Sequence, residues 1–323
     1  MVASLTALSH QFIQTNGIRM HIAEQGTGPV VLLCHGFPET WYSWRHQLKA
    51  LAEAGFHAVA PDQRGYGQTD RPPAPEQYTI LHLVGDMVGL LDALGEQRAV
   101  IVGHDWGALV AWNAALMRPD RFRAVVGMSV PYHPRGAVSM LQALRQAAGE
   151  NFYMAYFQKP GVAETALERD VRSTMLGILY SASGDAPPAQ RWRPVLPSGN
   201  LRSAQRGPET LPAWLSEQDL DAYVSEFQRT GFTGGLNWYR AIDLSWELTA
   251  PFDGAKIEQP SLFIAGGEDA VLGFPGMDRA IGTLSSSLPG LRGTVLIDGC
   301  GHWVQQERAV DTNAALIQFL WSL

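Results

Sequence analysis

Cysteine is nearly missing from this sequence: Cys34 and Cys300 are the only two in 323 residues. Neither sits in a recognisable Cys/His signature, which excludes a disulfide-stapled scaffold and leaves them as buried or site-adjacent thiols. Positive charge is also scarce. The chain carries 24 Lys and Arg against 31 Asp and Glu, a formal net charge of -7. No basic run supplies the field that nucleic acid or an anionic membrane would require. Long apolar runs are absent too, since the strongest, "VVLLC", is far too short to span a bilayer. The opening stretch "MVASLTALSHQF" lacks the basic start and sustained apolar segment of a targeting signal. These absences predict a cytoplasmic protein with neither nucleic acid nor membrane insertion among its partners. With 46% hydrophobic and 17% charged residues, the chain has the composition of a globular protein able to bury a full core.

What is present alternates. "HQFIQTNGIRMHIAEQG" carries an Asn16-Gly17 hairpin signal, and "PVVLLCHG" and "FHAVAPD" read as strands buried on both faces. Between those two, "WYSWRHQLKALAEAG" is helical and stops at Gly55. Ile80, Leu83, Val84, Met87, Val88 and Leu91 recur at helical spacing before Gly95. "RAVIVGHDWGALVAWNAALMRPD" reads as strand, sharp turn and helix, and "FRAVVGMSVP" as a further strand. The rhythm then stops until "PSLFIAGGED". In the gap lie helical pieces over residues 141–157 and 163–180, then a Gly, Pro and Ser-rich excursion over 181–213. Ser216 and Asp219 next make a capping-box start to a helix striped with Leu220, Tyr223, Val224 and Phe227 and ended by Gly231. "GTVLIDGCGHW" and a last amphipathic helix through Val310, Ile317, Leu320 and Trp321 complete the chain. The prediction is a mostly parallel, eight-stranded sheet flanked by helices, with a core over residues 1–131 and 252–323 and a helical cap over 132–251. Ligands are expected where the carboxyl ends of the strands face the cap.

"GHDWGA" has the outline of a nucleophile elbow, Gly-x-nucleophile-x-Gly, with Asp105 where serine is usual. An α/β-hydrolase site also needs an acid and then a histidine later in the chain, and Asp269 and His302 each follow an apolar strand in that order. Glu268 is the competing acid, and Asp298 reads as structural. "HGFPE" follows another buried strand, so the N–H groups of Phe37 and Trp106 are placed to form an oxyanion hole. The tight Phe37-Pro38 turn is a candidate for a cis bond. His35 and the glycine-rich "DQRGYGQTD" read as structural, the latter lacking both the P-loop lysine and the dinucleotide fingerprint.

Aspartate at the elbow changes the chemistry. Its carboxylate can displace a leaving group from saturated carbon, and water activated by His302 then cleaves the resulting ester at the Asp105 carbonyl. Two reactions fit, halide displacement and epoxide opening. Halide departs without a proton and wants N–H donors, whereas an epoxide oxygen departs as alkoxide and needs a general acid.

The motifs "HGFPETWYSW", "GHDWGA", "YMAYFQKPGVAE", "GFTGGLNWYR" and "CGHWVQ" resemble those of the soluble epoxide hydrolases, over most of the chain from about Phe12 onward. The resemblance implies an α/β-hydrolase fold and a pair of cap tyrosines that hold and protonate the epoxide oxygen. By motif these are Tyr153 and Tyr239, with Tyr156 the nearby competitor. It implies a small-molecule epoxide substrate and no metal or organic cofactor. Trp106, Pro38 and Trp303 are expected to touch substrate, and a monomer or homodimer is expected. Trp106 is shared with haloalkane dehalogenases, whereas Phe37 offers neither N–H nor O–H in its side chain. The alternatives are a haloalkane or haloacid dehalogenase with the same triad, and a catalytically silent α/β-hydrolase that binds a ligand.

Overall fold

The apolar runs read as buried strands lie in the middle of one sheet. The computed structural model describes residues 7–196, 207–208 and 210–323. Among them, eight strands pair: β1 (Ser9–Thr15), β2 (Ile18–Gln25), β3 (Val30–Cys34), β4 (His57–Pro61), β5 (Ala99–His104), β6 (Phe122–Met128), β7 (Ser261–Gly266) and β8 (Leu291–Ile297). Their spatial order is β1-β2-β4-β3-β5-β6-β7-β8. The β1-β2 and β2-β4 pairings are antiparallel and all the others are parallel. Asn16 and Gly17 turn the first hairpin with φ of 44° and 80°, the two positive values that a type I′ turn needs.

Central strands are buried on both faces because helices cover both. In β3, Val30 and Leu32 join one apolar cluster and Val31 and Leu33 the other. Each such side chain contributes roughly 1.5–3 kcal/mol when fully buried. Helices α1 (Arg45–Glu53), α2 (Ile80–Ala93) and α3 (Trp106–Met117) belong to the first part of the core. The stripe expected on α2 is met: Ile80, Leu83, Val84, Met87 and Leu91 are buried and Val88 packs beside them.

Between β6 and β7 the described chain is helical: α4 (Met140–Ala148), α5 (Tyr153–Tyr156), α6 (Val162–Glu168), α7 (Val171–Ser181), α8 (Glu217–Thr230), α9 (Thr233–Arg240) and α10 (Ile242–Leu248). The single helical piece read over 141–157 is two helices, because Gly149 turns out of α4 at φ 80°. The piece over 163–180 is also two, with the Asp170 carboxylate accepting the Ser173 N–H at 3.0 Å to start α7. Helix α8 forms as read, from the Ser216/Asp219 capping box to Gly231 at φ 66°. The excursion read over 181–213 is described to residue 196 and folds back on α5. There Pro194 O accepts the Tyr153 N–H and Asn151 O that of Leu196, both at 2.8 Å. Residues 197–206 and 209 of that reading lie outside the described residues.

The last elements are α11 (Met277–Gly282), α12 (Leu284–Ser287), α13 (Val304–Glu307) and α14 (Ala309–Trp321). The stripe read for α14 needs correction: Leu320 is buried and Ile317 packs on the core, but Val310 and Trp321 are 81% and 70% exposed. About three helical turns apart, those two share a line rotated away from Leu316 and Leu320. No helix among the described residues is long and apolar enough to cross a membrane.

Candidate active site

Asp105 stands alone between β5 and α3, at φ 53° and ψ -120°. That backbone costs a non-glycine residue of order 1–3 kcal/mol and persists only where its surroundings enforce it. The enforcement is steric. A Cβ on Gly103 would strike the Gly107 carbonyl, and one on Gly107 would strike the carbonyls of Cys34 and His35, so both flanking glycines permit the close turn. The Asp105 carboxylate is held at both ends. Its Oδ1 accepts the Phe37 N–H at 2.9 Å, and its Oδ2 lies 3.5 Å from His302 Nε2. The Phe37-Pro38 bond is cis. Trp106 is the first residue of α3, where N–H groups have no partner within the helix.

On its other side His302 Nδ1 meets the Asp269 carboxylate at 3.0 and 3.1 Å. Asp269 is fixed in turn by the Val271 N–H, which donates to Oδ1 at 2.9 Å. The three sequence candidates thus converge. The competing acid does not join them, because Glu268 pairs with Arg191 at 2.5 Å, and Asp298 lies exposed beyond β8. Burial disfavours charge on both members of the Asp105-His302 pair, but their partners outweigh it. His302, and after it His104 and the Phe37 N–H, hold the Asp105 carboxyl below its ordinary value. Asp269 and Asp105 hold the His302 imidazole well above its own. Both directions favour the carboxylate-imidazolium form of the pair.

Beneath the triad lies a buried network that spacing did not single out. Glu39 Oε2 meets His104 Nδ1 at 2.8 Å and accepts the Gly36 N–H at 3.0 Å. Glu39 Oε1 accepts from Gln305 and Gln306 at 2.9 and 3.2 Å. His104 Nε2 and Ser129 Oγ both donate to the His302 carbonyl, at 2.7 and 2.8 Å. The oxyanion turn, the residue before the nucleophile and the base loop are thereby tied to one carboxylate. His35 is structural, as read: Nε2 accepts the Gln63 N–H at 3.0 Å while Nδ1 lies 2.9 Å from the Gly36 carbonyl. The "DQRGYGQTD" loop is organised on Asp62, which accepts the Trp41 and Gln68 N–H groups, each at 3.0 Å.

Over the triad sits a cavity with about 70 Å³ of free space. Asp105, Asp269 and His302 line its floor together with Phe37, Pro38 and Trp303. Tyr153, Phe157, Trp192 and Tyr239 make an aromatic wall, and Leu167, Ile178, Ala182 and Val271 an aliphatic one. The Tyr153 and Tyr239 rings meet edge to face at 5.9 Å. Burial, and then the Asp105 charge for Tyr153 and the neighbouring Tyr153 and Asp105 for Tyr239, push both phenols well above their ordinary value. Both are held as O–H donors. Tyr156, the competitor, is half-buried and does not line the cavity, so the structure separates two residues that helical spacing could not.

Two further expectations divide. Pro38 and Trp303 line the cavity, although the Trp303 indole N–H is taken by the Leu179 carbonyl at 2.8 Å. The Trp106 side chain does not line it. Its ring packs edge-on against Tyr239 and Trp238, at 5.0 and 5.8 Å, and so stands behind Tyr239 in the aromatic wall. Trp192 was missed. It lies in an irregular stretch with no periodicity to mark it, and its ring abuts Tyr153 at 5.0 Å.

The sequence matches the alpha/beta hydrolase fold family over residues 29–309. It is 51% identical to epoxide hydrolase A of Mycobacterium tuberculosis over 98% of both chains. It is 46% identical to epoxide hydrolase 1 of Siraitia grosvenorii over 97% of this chain and 98% of that one. Among solved structures, an epoxide hydrolase from an endophytic Streptomyces superposes with a TM-score of 0.93 at 47% identity, covering 97% of this chain and 95% of that one. Epoxide hydrolase A from Mycobacterium thermoresistibile gives 0.90 at 48% identity, covering 97% and 98%.

Proposed function

The chain belongs to the epoxide hydrolases of the α/β-hydrolase fold, and from that premise we propose that it converts a small-molecule epoxide and water to a vicinal diol through an ester on Asp105. The observation that carries the reading is the Asp105 carboxylate, engaged at one oxygen by the Phe37 N–H and near His302 at the other, in a cavity whose wall carries two phenols.

In the first step Asp105 attacks one epoxide carbon and the C–O bond to the ring oxygen breaks. Tyr153 and Tyr239 donate to that oxygen as it gains charge, a general-acid role typically worth 10²- to 10⁴-fold. The alkoxide takes a phenolic proton, and once the ester has formed the imidazolium of the resting pair returns a proton to the phenolate, which leaves His302 neutral. Esterification also removes the Asp105 charge, one of the two anions that raise the His302 pKa. The histidine can then act as a neutral base, with Asp269 orienting it. Water gives His302 a proton and attacks the Asp105 carbonyl, while the Phe37 and Trp106 N–H groups receive the developing oxyanion. Collapse expels the diol oxygen, which takes the proton of the new Asp105 carboxyl group, and the carboxylate-imidazolium pair is restored.

We assign residues 132–251 to the cap that carries both tyrosines, and 1–131 and 252–323 to the core. The reading includes a cytoplasmic enzyme, monomeric or homodimeric, and two buried free thiols are in keeping with it. O–H donors in the cavity wall favour an epoxide over a halide, and Phe37 has no polar side-chain group to offer a halide. A single turnover of a simple epoxide such as styrene oxide in ¹⁸O-water is the test. Label is expected in Asp105 and not in the first diol; label in the first diol would sink the covalent route, and halide release from a haloalkane without diol formation would favour a dehalogenase.

A further inference from the structure

Most of the hydrogen bonds that orient His302 come from the core, but its own N–H group does not go there. It donates to the Ala182 carbonyl at 2.9 Å, just past the end of α7. The residues on either side of it bind a single carboxylate. Glu307 Oε2 accepts the Gly301 N–H at 2.8 Å, and Oε1 accepts that of Trp303 at 2.9 Å. The same Oε2 accepts the Gly184 N–H at 2.8 Å, from the α7 side. Trp303 adds its indole bond to Leu179. Two glycines make the approach possible: a Cβ on Gly184 would lie 2.9 Å from Gly299 O and Gly301 N, and one on Gly301 would strike Gly184 N. Ile178 and Ala182, in and beside this segment, line the cavity.

We propose that Glu307 is a positioning residue for the base, clamping the loop 301–303 to the chain segment 179–184 so that the cavity wall and the His302 imidazole form one rigid unit. The proposal rests on His302 activating water in the second step. Three N–H groups converge on one carboxyl group; burial pushes its pKa above the ordinary value and the three N–H groups oppose that shift, because bonds to the ionised form are about twice as strong as neutral ones. An imidazole that must point at Asp105 on one side and Asp269 on the other tolerates little rotation, and a misplacement of about 1 Å can cost roughly 10²-fold in rate. Asp105 is positioned independently, by the elbow and the Phe37 N–H. Loss of the clamp should therefore fall on ester hydrolysis and spare ester formation.

The experiment is a pair of single-turnover measurements on Glu307→Gln with styrene oxide, following ester formation and ester hydrolysis separately. The amide keeps the shape but replaces one acceptor oxygen with a donor. Hydrolysis is expected to slow about tenfold or more while ester formation stays within about twofold, so that ester accumulates and KM falls together with kcat. Equal slowing of both steps, or no change in hydrolysis, overturns the proposal. If Glu307→Gln is not recovered folded, Gly184→Ala tests the opposite jaw of the clamp by the same split. Wild-type enzyme run alongside separates the two readings, since failure of the wild type to form an ester on Asp105 would remove the function proposed above and not the clamp alone.

Discussion

The floor of the cavity and its aromatic wall bring residues to one place by different physics. On the floor, each group is pinned by backbone geometry and charge-assisted hydrogen bonds: Asp105 by an enforced turn and the Phe37 N–H, Asp269 by Val271, His302 by both carboxylates and its own peptide. In the wall, Tyr153 and Tyr239 are held mainly by ring packing. Tyr239 touches Phe37, Trp106 and Phe157 at 5.5, 5.0 and 5.0 Å, and Tyr153 touches Trp192 and Phe157 at 5.0 and 5.4 Å. Edge-to-face pairs contribute roughly 0.5–1.5 kcal/mol each beyond area burial. They fix a ring's plane less sharply than a bidentate ion pair fixes a carboxylate. The floor is built to hold atoms in line, and the wall to accept substituents while presenting two hydroxyls.

That contrast can be broken from the floor upward. Asp105→Ala removes the covalent route, and kcat/KM for styrene oxide is expected to fall by about 10⁴-fold or more, measured by diol formation. His302→Gln leaves the nucleophile in place. A full equivalent of ester on Asp105 is expected by mass spectrometry, with steady-state turnover down roughly 10²- to 10⁴-fold, and an absence of ester would show that the histidine is needed before hydrolysis. In the wall, Tyr153→Phe and Tyr239→Phe should each cost roughly ten- to a hundredfold in the rate of ester formation and together more than either, because each phenol can partly replace the other. Tyr156→Phe, one turn away but outside the cavity, should change the rate by less than about twofold, within ordinary surface effects.

A subtler test concerns charge. Burial opposes the imidazolium, and Asp269 and Asp105 overcome it. Asp105→Asn, which removes one anion as esterification does, should therefore lower the His302 pKa as followed by NMR titration of the ring. The sign for stability follows from the same directions. The raised histidine contributes stability that is complete below its unfolded pKa and is lost as pH rises through the folded value. The depressed Asp105 contributes stability that is present above its unfolded pKa and is lost as pH falls through the folded one. An unchanged His302 pKa in Asp105→Asn would mean that Asp269 alone holds the proton.

The same division explains what was legible in the sequence. Strands buried on both faces are short apolar runs, and a turn that needs two glycines advertises itself, so β3, β5 and the elbow could be read directly. The triad followed from order along the chain, because parallel strands deliver their carboxyl ends to one edge. Tyr153 and Tyr239 were legible through family motifs and not through spacing, which could not separate Tyr153 from Tyr156. Trp192 was not legible at all. It is held through the backbone bond from its own N–H to Ser181 O at 2.7 Å, and neighbouring Pro194 docks on Tyr153 through its carbonyl. Side-chain pattern carries no trace of such pairings. The Glu39-His104 network was equally hidden, since burying charged groups runs against the polarity rules by which a core is recognised.

At the elbow, the contacts that force the backbone of Asp105 are made by Gly103 and Gly107 with the chain around Cys34 and His35, not by the carboxylate. Gly36 closes the socket from the other side, since a Cβ there would lie 2.4 Å from the Cβ and Oδ1 of Asp105. The socket therefore fits its occupant as closely as its backbone, and a side chain bulkier than aspartate at position 105 would have to displace the turn that carries the Phe37 N–H.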